Sequence, residues 1–167
     1  EHDASLTTVT DVQKIARFEF DSDNKYLDIK DYYTIINNCN IVLNFAPGVL
    51  DEDPDFTEGD LSVTRGEMLA IRALCHFYLV RAFRDIPLLD YAVIDDDQDL
   101  YQEQVTPIQA IDFILKDLYE AENLVMASGK YPILAENKGR ITRDAVRAMI
   151  ADALLWKAAF EQYAAQG

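Results

Sequence analysis

Basic side chains are scarce in this chain: 15 Lys and Arg stand against 30 Asp and Glu, a formal net charge of −15 over 167 residues. Such a surface repels a phosphate backbone, and no basic stripe with interleaved aromatics offers a local exception, so nucleic acid is excluded as a partner. Anionic membrane surfaces are disfavoured for the same reason. Long apolar runs are also missing, and none approaches the ~20 residues that span a bilayer as a helix. Cysteine is limited to Cys39 and Cys75, too few for a disulfide framework. Both fall inside helical patterns, where buried free thiols are favoured over a bridge. Histidine is limited to His2 and His76. Cys75 and His76 are adjacent, so on a helix their side chains diverge by ~100° and cannot form a catalytic pair. Enzymatic activity is not expected, and neither is a cofactor or a metal centre. Neutral ligands, cations and other proteins remain as partners.

What the chain does have is apolar residues at helical spacing, 50% of the sequence being hydrophobic, enough for one core or two small ones sharing an interface. After a polar start, in which 11–20 can hold a short helix ended by the turn chemistry of 21–24, four helices are legible. The first, from about Leu27 to Ala46, carries Ile29, Tyr32, Tyr33, Ile36, Cys39 and Leu43, with Pro47-Gly48 as its stop. The second opens on Thr64 as N-cap with Glu67 three residues on. It is apolar nearly all round, Phe77, Tyr78 and Phe83 included, and is ended by Pro87. The third starts at Thr106-Pro107 and closes at Ser128-Gly129, burying Ile111, Ile114, Leu115, Leu118, Ala121 and Val125. The fourth is capped by Thr142 and is rich in alanine, with Trp156 and Phe160 at core spacing. No alternating strand pattern of useful length appears. The fold class is all-α.

The chain repeats itself. Residues 63–80 lie over 141–158 at a constant offset of 78: the Thr-Arg pair recurs at 64/65 and 142/143, and an alanine at 70 and 148. The first and third helices match at a similar spacing. Each unit is a helical hairpin, 27–87 and 106–163, that cannot bury both faces alone, so stacking the two makes the core of a single helical domain over 1–167. The small residues of the fourth helix imply close packing, and Ala148→Leu is expected to overpack it. The offset far exceeds the ~34 residues of a plain tetratricopeptide repeat. The excess lies in loops 47–63, 84–105 and 129–141, and loops of that length are often functional.

Three motifs in order carry a family resemblance. The run RxxxxFxLxxxFxDIP at Arg72, Phe77, Leu79, Phe83, Asp85, Ile86 and Pro87 resembles the signature of the SusD/RagB family. YxxIxxxN at Tyr33, Ile36 and Asn40 is similar to the family's preceding helix. Gly139-Arg140-Ile141-Thr142, followed by alanines at 145, 148, 151 and 153, resembles a third landmark. One departure is Arg84, where the family usually has glycine. The resemblance covers roughly 28–160. It implies a tetratricopeptide-like right-handed α–α superhelix of stacked hairpins with long connecting loops, and no catalysis. It further implies a surface-exposed outer-membrane lipoprotein of Bacteroidetes that binds an oligosaccharide or other nutrient and delivers it to a TonB-dependent transporter. Family members are longer, so these residues are expected to be the N-terminal helical part, without the signal peptide and anchor cysteine. The alternative is a tetratricopeptide-like adaptor that binds protein and no small ligand.

Candidate ligand contacts are loop aromatics able to stack on a pyranose: Tyr91 and Tyr101, together with Tyr26 and its neighbour Asn24 just ahead of the first repeat helix. Two acidic stretches are weaker candidates. Asp51-Glu52-Asp53-Pro54-Asp55 begins like an EF-hand loop but has Phe56 at the sixth position and Ser62 at the twelfth. Asp95-Asp96-Asp97-Gln98-Asp99 carries a DDxxD pattern with no helix to aim it. Both read as solvated acidic loops. His76 reads as a packed histidine, and Arg72, Arg81 and Asp85 as residues that order the turn after the second helix.

Overall fold

The computed structural model describes residues 10–17, 19, 24–95, 97–98 and 101–165. Phe18, Phe20, residues 21–23, His2, Asp96 and Asp99 lie outside the described residues. Contacts divide the chain into two units, 1–31 and 32–167. In the first, a short helix α1 covers 10–16, with Val12 half exposed. A 3-10 turn, Lys25–Leu27, follows. Asn24 organises it: its Oδ1 accepts the Tyr26 N–H at 3.0 Å, and its Nδ2 donates to the Asp11 carbonyl at 3.1 Å.

The longer elements are helical, as expected. α2 is Lys30–Glu52, α3 Glu58–Phe83, α4 Pro107–Leu124, α5 Glu136–Gly139 and α6 Arg143–Ala164. Among the described residues the strand content is one antiparallel pair, β1 (Ile86–Pro87) against β2 (Gln104–Val105), which the sequence pattern did not suggest. Within the second unit α4 lies between α3 and α6, and those two barely touch each other. The core is a single cluster drawn from α2, α3, α4 and α6. Ile36, Ala70, Ala73, Val80, Ala110, Ile111, Ile114, Ala121, Val146 and Ala153 are its sealed members.

Two helix starts follow local chemistry. Thr106 caps α4 in a reciprocal box with Gln109, with Pro107 at the first helical position. Thr142 caps α6. Three expected boundaries are displaced. α2 does not stop at Pro47-Gly48; it runs to Glu52 with Pro47 inside it. The proline deprives the Leu43 carbonyl of its helical partner. In return Val42, Leu43, Ala46 and Pro47 close with Leu61 and Arg65 around a small apolar hollow of about 40 Å³, so tertiary packing offsets the loss. α3 starts at Glu58, not after Thr64. Thr57 is its cap, exchanging hydrogen bonds with Asp60 at 3.0 and 3.2 Å. Both Thr-x-x-acid pairs satisfy the capping rule; the upstream one caps the helix, and Glu67 of the downstream one is held by Arg140 instead. α4 ends at Leu124 rather than at Ser128-Gly129, with Val125 buried at the exit and Gly129 in a following turn at φ 76°.

α6 departs most from expectation. Its buried residues are Val146, Ile150 and Ala153. Ala145, Ala148, Ala151 and Ala158 face outward, as do Leu154 and Leu155, so α6 is an edge helix packed on one side. Ala148 is exposed and borders an open groove with Leu74, Phe77 and Tyr78, so the close contact that would make Ala148→Leu overpack is not there. Tyr78 and Phe83 are likewise exposed rather than core, while Phe77 is buried and Trp156 and Phe160 are partly so. The exit of α3 is unusual: Arg84 has φ 66° and ψ −82°, the one non-glycine residue at positive φ among those described. Glycine adopts that conformation without strain; arginine does not.

Candidate ligand-binding cleft

A buried polar joint holds α2, α3 and α4 to the loop that follows β1. Asp117 falls on the apolar stripe of α4, one turn after Ile114 and one before Ala121, and is 2% exposed. A lone carboxylate there would be costly, since burial strips its water. Arg72 of α3 answers it with a two-pronged pair, Nε to Oδ2 at 2.7 Å and Nη2 to Oδ1 at 2.8 Å. Burial pushes the Asp117 carboxyl above the ordinary carboxylate range, and the guanidinium pulls it back. The third guanidinium nitrogen donates to Asn40 Oδ1 of α2 at 2.7 Å and to the Asp90 carbonyl at 3.4 Å.

The loop itself is stapled to α2 by amide side chains. Asn40 Nδ2 donates to the Leu89 and Tyr91 carbonyls at 3.1 and 2.9 Å. Asn37 pairs with both backbone groups of Val93, accepting its N–H at 2.7 Å and donating to its carbonyl at 2.9 Å, as a neighbouring strand would. Tyr33 donates to the Pro87 carbonyl at 2.7 Å, and burial raises its hydroxyl to about 12, so it remains a donor. His76 completes the latch. Its Nδ1 lies 3.0 Å from the Arg72 carbonyl, an acceptor, so Nδ1 carries the proton. Nε2 is then free to accept the Leu89 N–H at 3.4 Å. Burial lowers the imidazole to about 4, consistent with a neutral ring at this position.

Above the joint opens a cleft of about 350 Å³, walled by α2, α3, α4 and residues 90–92. Arg72 and Asp117 are among its lining residues, and Arg65 and Glu120, ion-paired at 2.7 Å, are also part of its wall. Tyr91 lines it too, and its hydroxyl accepts a hydrogen bond from Gln102 at 3.0 Å. That contact brings the 101–102 segment to Tyr91, so the expected residues Tyr91 and Tyr101 share one region, with Tyr101 80% exposed. Asn24 and Tyr26 lie in the first unit. Asn24 is buried and its amide is committed at both ends to presenting the turn; Tyr26 is half exposed with the Lys25 ammonium over its ring. The other loop aromatic in an ordered role is Tyr131. It seals the 129–141 loop, its hydroxyl sharing one proton between the Ile141 carbonyl at 2.8 Å and Glu67 at 3.1 Å, with Arg140 stacked on its ring and bidentate to Glu67.

Sequence reasoning missed Asn37 and Asp117, and placed Asn40 in a motif without giving it a role. A signal existed for Asp117, a carboxylate on an otherwise apolar helical face. For Asn37 there was none, and the motif that contains Asn40 does not say what it binds, because the partners of both are backbone atoms about 50 residues downstream. In the acidic loops, Asp95 accepts the Asp97 N–H at 3.2 Å, and Gln98 accepts those of Ile94 and Asp95. Among the described residues no group of three or more His, Cys, Asp or Glu is placed to hold a metal.

Fold and cleft together define an α-helical repeat scaffold with a polar cleft where three helices meet a long loop. The chain belongs to the SusD-like family: it matches the family model described as "SusD-like_3: Starch-binding associating with outer membrane" over residues 2–155. Comparison with curated protein sequences yields no match. Among solved structures it resembles a laminarin-binding SusD-like protein at 26% identity, covering 81% of this chain and 27% of that one, with a TM-score of 0.65. A SusD superfamily protein from Bacteroides vulgatus shares the fold at 20% identity, 90% and 31% coverage and a TM-score of 0.72. So does surface glycan-binding protein A from Bacteroides uniformis, at 18% identity, 90% and 32% coverage and a TM-score of 0.74. The chain thus spans about a quarter to a third of the length of the structures it matches.

Proposed function

We propose that the protein carrying this chain is a non-catalytic glycan-binding component of an outer-membrane uptake complex in Bacteroidetes. In this reading it is surface-exposed and anchored as a lipoprotein, and it passes oligosaccharide to a TonB-dependent transporter. The observation that carries the reading is the family match over 2–155, supported by likeness to a laminarin-binding relative. Tyr26, Tyr91 and Tyr101 are the proposed sugar-stacking residues, with Asn24 holding the Tyr26 turn. Exposure of Tyr26 and Tyr101 suits that role, since a ring stacked on a pyranose must first face water. The Asp117 carboxylate is committed to its Arg72 pair and His76 is buried with both nitrogens on backbone atoms, which suits a binding rather than a catalytic role.

The test is titration calorimetry of the full-length protein against laminari- and malto-oligosaccharides. Saturable binding of at least one, weakened by Tyr26→Ala or by Tyr91→Ala, supports the reading. Absence of binding to every glycan in the panel removes it. The adaptor reading would then lead, favoured by the outward-facing Leu155 and Tyr163 of α6, which are 71% and 63% exposed.

A further inference from the structure

The cleft is built in a way that selects its ligand. Its floor is rigid, because every polar group there is already engaged: Arg72 with Asp117 and Asn40, and Asn40 with the loop backbone. A ligand entering it therefore orders little protein, and the entropic cost of binding is low. Its volume of about 350 Å³ lies at the small end of the ~300–1,000 Å³ typical of ligand pockets, enough to admit a sugar ring.

The charge pattern is the second clue. Arg65, Arg72 and Lys116 face Asp90, Asp117 and Glu120, three against three, in a chain whose net charge is −15. A local zero in so acidic a protein favours neither a polyanion nor a polycation. Four of the six charges neutralise one another as close pairs. The remaining two, Asp90 and Lys116, form no ion pair among the described residues, and neither the Asp90 carboxylate, the Lys116 ammonium nor the Asn44 amide is engaged by another described side chain. These three present an acceptor, a donor and a group that is both. A hydroxyl both donates and accepts, so adjacent hydroxyls on a neutral ring meet all three demands at once. Tyr91, Leu43 and Phe113 supply apolar wall for the ring's C–H face.

We infer that this cleft is a subsite for a neutral sugar residue, held by Asp90, Lys116 and Asn44 against the Tyr91 wall. The inference rests on the glycan reading above and adds to it a place and a recognition chemistry. Its test uses the full-length protein and calorimetry with laminaritriose and maltotriose. Asp90→Ala and Lys116→Ala each delete one exposed contact, and Asn44→Trp, at an exposed helical position, fills the cleft. Thermal unfolding checks that each variant is folded. The expected result is a roughly tenfold or greater loss of affinity in Asp90→Ala and Lys116→Ala, the size of a lost hydrogen bond to a charged group, and no detectable binding in Asn44→Trp. Wild-type affinity in all three folded variants would overturn the subsite and leave the glycan reading intact. No binding by the unaltered protein to either sugar, with binding to the zwitterion diglycine that the variants lose, would keep the cleft as a site but overturn the sugar. No binding of any probe by the unaltered protein overturns the subsite together with the reading on which it rests.

Discussion

At the scale of single residues, His76 shows how burial converts a titratable group into a structural one. It is fully buried between the rings of Tyr33 and Phe113, within the fields of Arg72 and Asp90, and it spends both nitrogens on backbone atoms. A folded-state value of about 4 lies below the unfolded value of 6.5, so the unfolded chain takes up the proton first as pH falls. The ring's contribution is fully present above pH ~6.5 and is lost progressively down to about pH 4, by on the order of 3 kcal/mol. Urea unfolding at pH 7 and pH 4 checks this: the wild type should lose that much more stability than His76→Gln, in which the carboxylates titrate but the imidazole is gone. Equal losses would mean that the ring is hydrated. The sequence marked His76 as packed rather than catalytic because it sits mid-helix among apolar neighbours. It could not reveal the Leu89 N–H, which reaches Nε2 only after the chain has turned back at Pro87.

At the scale of elements, the contrast between α3 and α6 is one of neighbours rather than of composition. Both have small residues at matching places of the repeat, yet only α3 is crowded. A Cβ at Gly66 would lie 2.8 Å from Leu124 Cβ and from Val125 Cγ1, and 3.0 Å from the Val125 backbone nitrogen. The end of α4 must therefore shift to admit even a methyl group. Gly66→Ala should destabilise by about 1–3 kcal/mol despite the ~1 kcal/mol that alanine gains over glycine inside a helix. Ala148→Leu, on the open face of α6, should stay within about 0.5 kcal/mol. The two urea midpoints, measured side by side, check the claim, and reversed magnitudes would invert the assignment of inner and outer faces. Helical period located both helices, but period cannot say how many sides of a helix are covered. Near-continuous apolar character correctly implies a crowded α3, whereas of the α6 alanines that suggest close packing Ala153 is buried and Ala145, Ala148, Ala151 and Ala158 border solvent.

At the scale of the whole molecule, the second unit is tied together by one hydrophobic cluster and one polar joint, and the joint spans elements the apolar contacts link less directly. Asp117 of α4, Arg72 of α3 and Asn40 of α2 meet at 2.7–2.8 Å, and the 88–93 loop closes over them. Asp117→Ala strands the guanidinium without its carboxylate and should cost about 3–5 kcal/mol, the usual penalty for breaking a buried pair from one side. Chemical denaturation checks the size. Loss of loop protection in amide exchange checks the location, and a variant as stable as wild type would show the pair to be solvated. The sequence by itself determined the all-α class, the starts of α4 and α6 and the family, because caps, helical period and short motifs are local and read within a turn or two. Only the tertiary structure decided which Thr-x-x-acid pair caps α3, that α2 passes through Pro47, that α6 is an edge, and that a polar cleft stands over Arg72 and Asp117. Each of those depends on what lies opposite a residue, and the opposing groups come from parts of the chain tens of residues away.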